Sequence, residues 1–138
     1  MQKDEIVPQL FNVPMINKVA ITGIVVNDIK INFTTEKKVK VANFRIAAER
    51  KFRSKGLIKK EFCYVSVTAW LKLADICEQN LKRGDAVYIE GSLQSKQLSE
   101  EKMSFIEILA DQIQILTPKK IISSEQKIEN LGMLIIKE

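Results

Sequence analysis

Apolar and polar residues alternate along most of this chain between residues 17 and 116. A period of two is typical of strands that bury one face, and β-branched and aromatic residues occupy many of the apolar positions. Gly23, which stands alone within the first run, indicates a bend or bulge of the kind that a barrel corner requires. The pattern predicts five strands, over residues 17–33, 39–49, 61–69, 86–95 and 105–116.

One segment between the third and fourth predicted strands has a helical period instead. Its apolar residues form a single stripe, at Leu73, Ile76, Cys77 and Leu81. This spacing predicts a helix over residues 71–82. Lys82 and Arg83 are expected to complement the negative end of the helix dipole, and Gly84 is expected to end the helix.

A strand, a short helix and a second strand, set among other strands, are typical of the OB-fold, a five-stranded Greek-key barrel. The predicted fold class is therefore all-β with one short helix. At 138 residues the chain is long enough for one ordinary core with short extensions. We expect an N-terminal arm over residues 1–14, the OB domain over residues 15–117 and a short tail over residues 118–138.

Positive charge is concentrated in the first half of the chain. Residues 15–60 carry a net charge of +9 and residues 61–138 carry −3, within an overall charge of +5. The densest part is a predicted loop, RKFRSKGLIKK over residues 50–60, in which Phe52 stands among basic residues. Such asymmetry favours a surface that faces a polyanion, although a merely solvated loop has the same composition.

The chain lacks the residues that several kinds of catalytic and binding chemistry require. The chain has no histidine, and its five glycines are isolated, so neither a common general base nor a phosphate-binding glycine loop is present. Cys63 and Cys77 have no close Cys or His partner and are expected to be buried apolar residues. The first 12 residues lack the apolar core of a secretory signal, and no apolar run reaches bilayer length. We expect an intracellular protein that is not an enzyme and has no metal or cofactor.

Residues 15–116 resemble the bacterial single-stranded DNA-binding protein family, known as the SSB proteins. The matching motifs are Asn17-Lys18-Val19, Val41-Ala42-Asn43-Phe44, Lys72-Leu73-Ala74-Asp75-Ile76, Leu81-Lys82-Arg83-Gly84 and Val87-Tyr88-Ile89-Glu90-Gly91. The resemblance implies an OB-fold that assembles as a homotetramer and wraps single-stranded DNA without sequence preference. It also implies a role in DNA replication, recombination and repair, in the cytoplasm with the nucleoid.

A protein that covers any single strand must use what all nucleotides share, a phosphate charge and a flat π-face. The resemblance assigns stacking to Phe52, Tyr64 and Trp70, although each ring has an alternative role in packing, Trp70 most of all. It assigns phosphate contacts to basic residues at five matching positions, Lys18, Lys72, Lys82, Arg83 and Lys96. Arg45, on the outward face of the second strand, and Arg53, beside Phe52, are expected to join them.

The chain departs from the family in three places. Tyr64-Val65 replaces the usual Trp-His, Leu98 replaces an aromatic residue, and the end LGMLIIKE replaces a long tail with an acidic tip and terminal Phe. The last change predicts that replication and repair enzymes are not recruited through such a tip. The alternative function is that of a primosomal replication adaptor, a dimeric SSB-related OB protein. A nuclease is disfavoured because no carboxylate cluster for a metal is apparent.

Overall fold

The structure, a computed structural model, describes residues 12–97 and 103–118. The predicted arm up to residue 11 and the predicted tail from residue 119 lie outside the described residues, as does Leu98. The described elements are β1 (Val19–Val25), β2 (Lys30–Phe33), β3 (Lys40–Ser54), β4 (Leu57–Trp70), α1 (Lys72–Asn80), β5 (Ala86–Gln97) and β6 (Ser104–Ile115). None of the helices described is long and apolar enough to cross a bilayer.

The strands form one sheet that closes on itself. Its order is β1-β5-β6-β4-β3-β2, and β1 also pairs with β3 at Ile24–Ala47 and Val25–Ile46. All pairs are antiparallel except β4 with β6. β1 and β2 are the two halves of the predicted first strand, because residues 26–29 interrupt it. The predicted class, a five-stranded barrel with one short helix, is confirmed.

Two glycines allow strands to approach closely where the barrel bends. A Cβ at Gly23 would lie 2.8 Å from the carbonyl oxygen of Ala47, so glycine is needed where β1 meets β3. Of the bend or bulge indicated at Gly23, no bulge occurs in the pairing of β1 with β5, and the described bulge falls between Glu90 and Gly91 on β5. A Cβ at Gly91 would lie 2.0 Å from the carbonyl oxygen of Leu109, which excludes any larger residue from the bulge without a backbone shift.

The core fills the barrel with alternate residues of each long strand. Its strand members include Phe44, Ile46, Val67, Val87, Ile89 and Ile108, and Ala74, Cys77 and Leu81 contribute from α1 and its end. Burial of each large aliphatic side chain contributes about 1.5–3 kcal/mol. The expectation that Cys77 is buried is confirmed, but the same expectation for Cys63 is wrong. Cys63 is exposed on β4, where it pairs with Ala48 of β3.

The helix is shorter than predicted, and its end has a different cause. α1 ends at Asn80 because Leu81 adopts an extended conformation, with φ −100° and ψ 139°. Lys82 and Arg83 therefore lie in the following turn, beyond the last helical turn, and the predicted dipole contact is wrong. Gly84, with φ 96°, shapes that turn, and its N–H donates to the Val25 carbonyl at 2.8 Å.

The predicted basic loop is wrong, because residues 50–60 belong to a long hairpin. β3 and β4 pair without interruption from Val41–Trp70 to Ser54–Leu57. Lys55 and Gly56 connect them with φ values of 53° and 78°, the left-handed conformation that a two-residue hairpin turn requires. We call residues 49–62 the hairpin arm. Its six residue pairs span about 20 Å beyond the barrel.

Ion pairs and one ring contact stabilise the base of the hairpin arm. The Nε atom of Arg50 donates to Oε1 of Glu61 at 3.0 Å. Lys60 Nζ lies 3.6 Å from Glu49 Oε2. The guanidinium of Arg50 also covers the ring of Phe52, with 4.8 Å between its Cζ atom and the ring centroid. The two ion pairs cross between β3 and β4, whereas the Arg50–Phe52 contact lies within β3, so the ion pairs favour the pairing of the two strands at the base of the arm.

Candidate nucleic-acid interface

Strand register divides β3 and β4 into a core-facing side and an outer side. Phe44–Val67 and Ile46–Val65 point toward the core, so the alternate pairs Arg45–Ser66 and Ala47–Tyr64 point away from it. Side chains of β2, β5 and β6 extend the same surface. We call this surface the outer face and define it by Lys30, Asn43, Arg45, Phe62, Tyr64, Ser66, Trp70, Lys96 and Phe105.

Two neighbouring rings are exposed on this face. Tyr64 is 57% exposed and pairs across the strands with the small Ala47, and Phe62 is 55% exposed two residues earlier on β4. Residues two apart on a strand are separated by about 7 Å. A stacked base lies about 3.5 Å from the plane of each neighbouring ring, so a separation of about 7 Å leaves room for one flat base between the two rings. Sequence reasoning missed Phe62, although its alternation with Tyr64 was a sufficient signal.

Trp70 lies at the end of the outer face, where β4 meets α1. Its side chain is 39% exposed and lines a pocket with the connection between β2 and β3, including Thr34 and Lys37. The next residue, Leu71, has φ 56° and donates its N–H to the Lys40 carbonyl at 3.0 Å. This fixed backbone holds the indole between the sheet and the connection, partly packed and partly free to contact a ligand.

Lys40 links the start of β3 to the helix beside Trp70. Its Nζ atom lies 2.7 Å from Oδ1 of Asp75 and also contacts Glu78. The hydrogen bond to Asp75, followed by that to Glu78, raises the pKa of Lys40 above its ordinary value. Lys40 is therefore engaged within the chain, in contrast to the cations of the outer face.

Phe52 occupies the opposite side of the hairpin arm from Tyr64. It shares its side with Arg50, because both lie an even number of residues from the core residue Ile46. Its ring is partly buried beneath that guanidinium. Of the three predicted stacking rings, the fold brings Tyr64 and Trp70 to one surface and separates Phe52 from them.

A cleft of about 270 Å³ crosses the outer face and is bordered by Lys30, Arg45 and Lys96, with Phe105 forming one wall. The three cations are exposed. The register places Arg45 and Lys96, both predicted phosphate contacts, on opposite borders of this cleft. A strand of phosphates lying along the cleft would meet these cations on both sides, with the exposed Asp28 as an acidic residue of its lining.

A buried polar cluster forms the floor of this cleft. Thr68 and Glu107 are 1% and 2% exposed. The hydroxyl of Thr68 lies 2.9 Å from Oε1 of Glu107 and 2.8 Å from Oδ1 of Asn43. Gln94 Nε2 donates to the other carboxylate oxygen at 2.7 Å. Satisfied buried groups of this kind fix the side chains above them.

The remaining predicted cations lie at other places on the surface. Arg53 is exposed on the hairpin arm, on the same side as Tyr64. Lys72 begins α1, and Lys82 and Arg83 occupy the turn before β5; all three are exposed. Lys18 Nζ lies 3.9 Å from Glu90 Oε1, so its charge is partly neutralised. In the described ranges, no group of acidic, Cys or His residues is arranged to hold a metal ion.

The closed barrel, with α1 inserted between β4 and β5, defines an OB-fold protein. Residues 16–116 match the model of the single-strand binding protein family. The chain is 38% identical over 111 residues to single-stranded DNA-binding protein 2 of Chlorobaculum tepidum, covering 78% of this chain and 75% of the relative. The chain therefore belongs to the single-strand binding protein family, which is not a family of enzymes.

Two further similarities are consistent with this assignment. The chain is 31% identical over 108 residues to the single-stranded DNA-binding protein of Caldanaerobacter subterraneus subsp. tengcongensis, covering 76% of this chain and 71% of the relative. The Plasmodium falciparum SSB, solved in complex with ssDNA, superposes with a TM-score of 0.68 at 22% identity. That match covers 78% of this chain and 100% of the solved chain and shows that the fold is shared.

Proposed function

We propose that this protein binds single-stranded DNA without sequence preference and acts in DNA replication, recombination and repair. The observation that carries the proposal is the presence of exposed rings and cations on one face of the sheet. Tyr64 and Phe62 offer stacking surfaces, and Arg45 and Lys96 border the adjacent cleft. Every base has a π-face and every nucleotide a phosphate, so this combination binds strands of any sequence.

The strand follows the outer face from the hairpin arm toward α1 in this proposal. Bases stack on Tyr64 and Trp70, with Phe62 completing a bracket around one base, while Arg45 and Lys96 contact phosphates. Phe52 and Arg53 engage the strand where it passes around the hairpin arm. The other predicted cations, Lys18, Lys72, Lys82 and Arg83, extend the phosphate contacts beyond the face.

We propose that the protein assembles as a homotetramer of two dimers. In the described chain, the second edge of β1 is paired only at Ile24 and Val25, which leaves residues 19–23 open to another strand. Ile24, Leu93 and Ile106 are each at least 45% exposed, and burying such side chains favours association. Val65, where the family has His, is half-buried against the core and adds apolar surface.

Titration with oligo-dT of increasing length, followed by Tyr and Trp fluorescence, tests the proposal. We expect quenching that saturates, with affinity increasing until the oligonucleotide fills the binding surface. Mass measurement by light scattering on the same samples gives the assembly. A dimer that binds oligo-dT weakly would favour the primosomal adaptor, and a monomer at all concentrations would exclude the proposed tetramer.

A further inference from the structure

The tip of the hairpin arm carries two exposed aliphatic residues. Leu57 and Ile58 are 64% and 68% exposed and directly follow the Lys55-Gly56 turn. Leu57 pairs with Ser54 and Ile58 with Arg53, so the two side chains project from opposite sides of the ribbon. The tip is therefore apolar on both sides, at the turn end of the β3–β4 hairpin.

Cations surround this apolar tip on both sides of the ribbon. Lys51 and Arg53 share the side of Ile58, and Lys59 shares the side of Leu57. Lys55 occupies the turn itself. Within the described residues, none of these four cations has an ion pair, in contrast to Arg50 and Lys60 at the base of the arm.

The positive charge of the tip indicates which kind of ligand it can bind. Two copies of such a tip would repel each other, whereas a polyanion is attracted to it. Aliphatic side chains are poor platforms for stacking a single base, but they act as wedges between stacked base pairs in proteins that distort duplexes. A tip that is apolar on both sides, with cations on both sides, fits the point where two strands separate.

We infer that the hairpin tip binds the junction where a single strand leaves a duplex and separates the terminal base pair with Leu57 and Ile58. The inference depends on the proposed single-strand binding, because the outer face must hold the released strand. Lys51 and Arg53 contact the phosphates of one strand, and Lys59 contacts those of the other. The continuous pairing of β3 with β4, with the Arg50–Glu61 ion pair across its base, supports the tip against the duplex.

The test uses a forked duplex with a single-stranded arm and 2-aminopurine at the terminal base pair. The full-length parent is compared with the double variant Leu57→Ser/Ile58→Ser and with the control Val13→Ser, an aliphatic residue that is 54% exposed outside the arm. We expect the parent and the control to open the fork at about tenfold lower concentration than the double variant. Affinity for oligo-dT should differ by less than about twofold between all three proteins, and thermal unfolding should be unchanged.

Three outcomes would overturn the inference. Equal fork opening by parent and double variant would remove the tip from strand separation. A parallel loss of oligo-dT affinity would make the tip a part of the single-strand surface rather than a wedge. If the double variant lost binding to phosphatidylserine vesicles but opened the fork as the parent does, the tip would be assigned to membrane binding instead. If the parent does not bind oligo-dT, the proposed function itself fails, which the same titration distinguishes.

Discussion

Replacing Tyr64 or Phe62 by alanine removes one side of the proposed base bracket and leaves the barrel intact. Both rings are more than half exposed, so their removal costs little burial, and thermal unfolding should shift only slightly. The loss of one stacking platform costs about 1–3 kcal/mol, the range known for OB-folds that bind single strands. At about 1.4 kcal/mol per factor of ten, the dissociation constant for oligo-dT should rise by about 5-fold to 150-fold.

The double variant tests whether the two rings hold the same base. If one base lies between Phe62 and Tyr64, the second substitution removes a contact that the first has already weakened. The combined loss should then be smaller than the sum of the single losses by about 0.5 kcal/mol or more. Strict additivity would show that the rings contact separate bases, and the bracket would have to be abandoned.

Phe33→Ala provides the matched control for these substitutions. Phe33 is a phenylalanine with 61% exposure, and on β2 it alternates with Lys30 and Asn32, which places it off the outer face. Fluorescence anisotropy with a labelled oligo-dT at fixed salt compares all four variants with the parent. If Phe33→Ala loses as much affinity as Tyr64→Ala, or if neither ring matters, the assignment of the outer face is refuted.

Three further predictions concern salt, the two thiols and the tail. A plot of the logarithm of the oligo-dT association constant against the logarithm of salt concentration should have a slope of about −0.7 per phosphate contacted. Arg45→Met should reduce the magnitude of this slope by about one contact. An unchanged slope would show that Arg45 is not part of the interface. The exposed Cys63 should react quickly with a thiol reagent and Cys77 only on unfolding, because burial raises the pKa of Cys77 to about 12. Equal reaction rates of the two thiols in the native protein would contradict this difference in burial. Since the pKa of Cys77 is higher in the folded state than the ordinary value of 9.0, the free energy of unfolding should decrease as pH rises from about 9 toward 12. Residues 131–136 form the apolar run LGMLII, which favours association, so deleting residues 127–138 should lower solubility or oligomer stability while leaving oligo-dT affinity nearly unchanged. Loss of a specific enzyme partner with intact assembly would contradict this prediction.

The barrel was predictable because alternation directly reports which residues face a core. Phe44, Ile46, Val87 and Ile89 were all on the predicted apolar sides and are all buried. The split of the first strand was missed because the alternation resumes at Ile29 and Ile31, although Asn27-Asp28 in the interruption is a typical turn signal. The Arg45 N–H of β3 donates to Oδ1 of Asn27 at 2.9 Å, directly after the last β1–β3 pair.

The interface was predicted less completely than the fold, for a physical reason. Basic composition suggested a loop around Phe52, but the Lys55-Gly56 turn continues both strands and imposes an alternation that composition does not reveal. That alternation separates Phe52 from Tyr64 and adds Phe62 to the outer face. Cys63, which directly adjoins the arm, is exposed although it alternates with the core-facing Val65 and Val67, so alternation alone did not predict its exposure.

Titration of the protein with single-stranded and double-stranded oligonucleotides of equal length tests directly whether it binds single strands of any sequence in preference to duplexes. The competitors are single strands of mixed and of shuffled sequence, measured at the same salt concentration. We expect saturable binding to every single strand with similar affinity and much weaker binding to the blunt duplex. Equal affinity for single and double strands, or strong preference for one base sequence, would contradict this expectation.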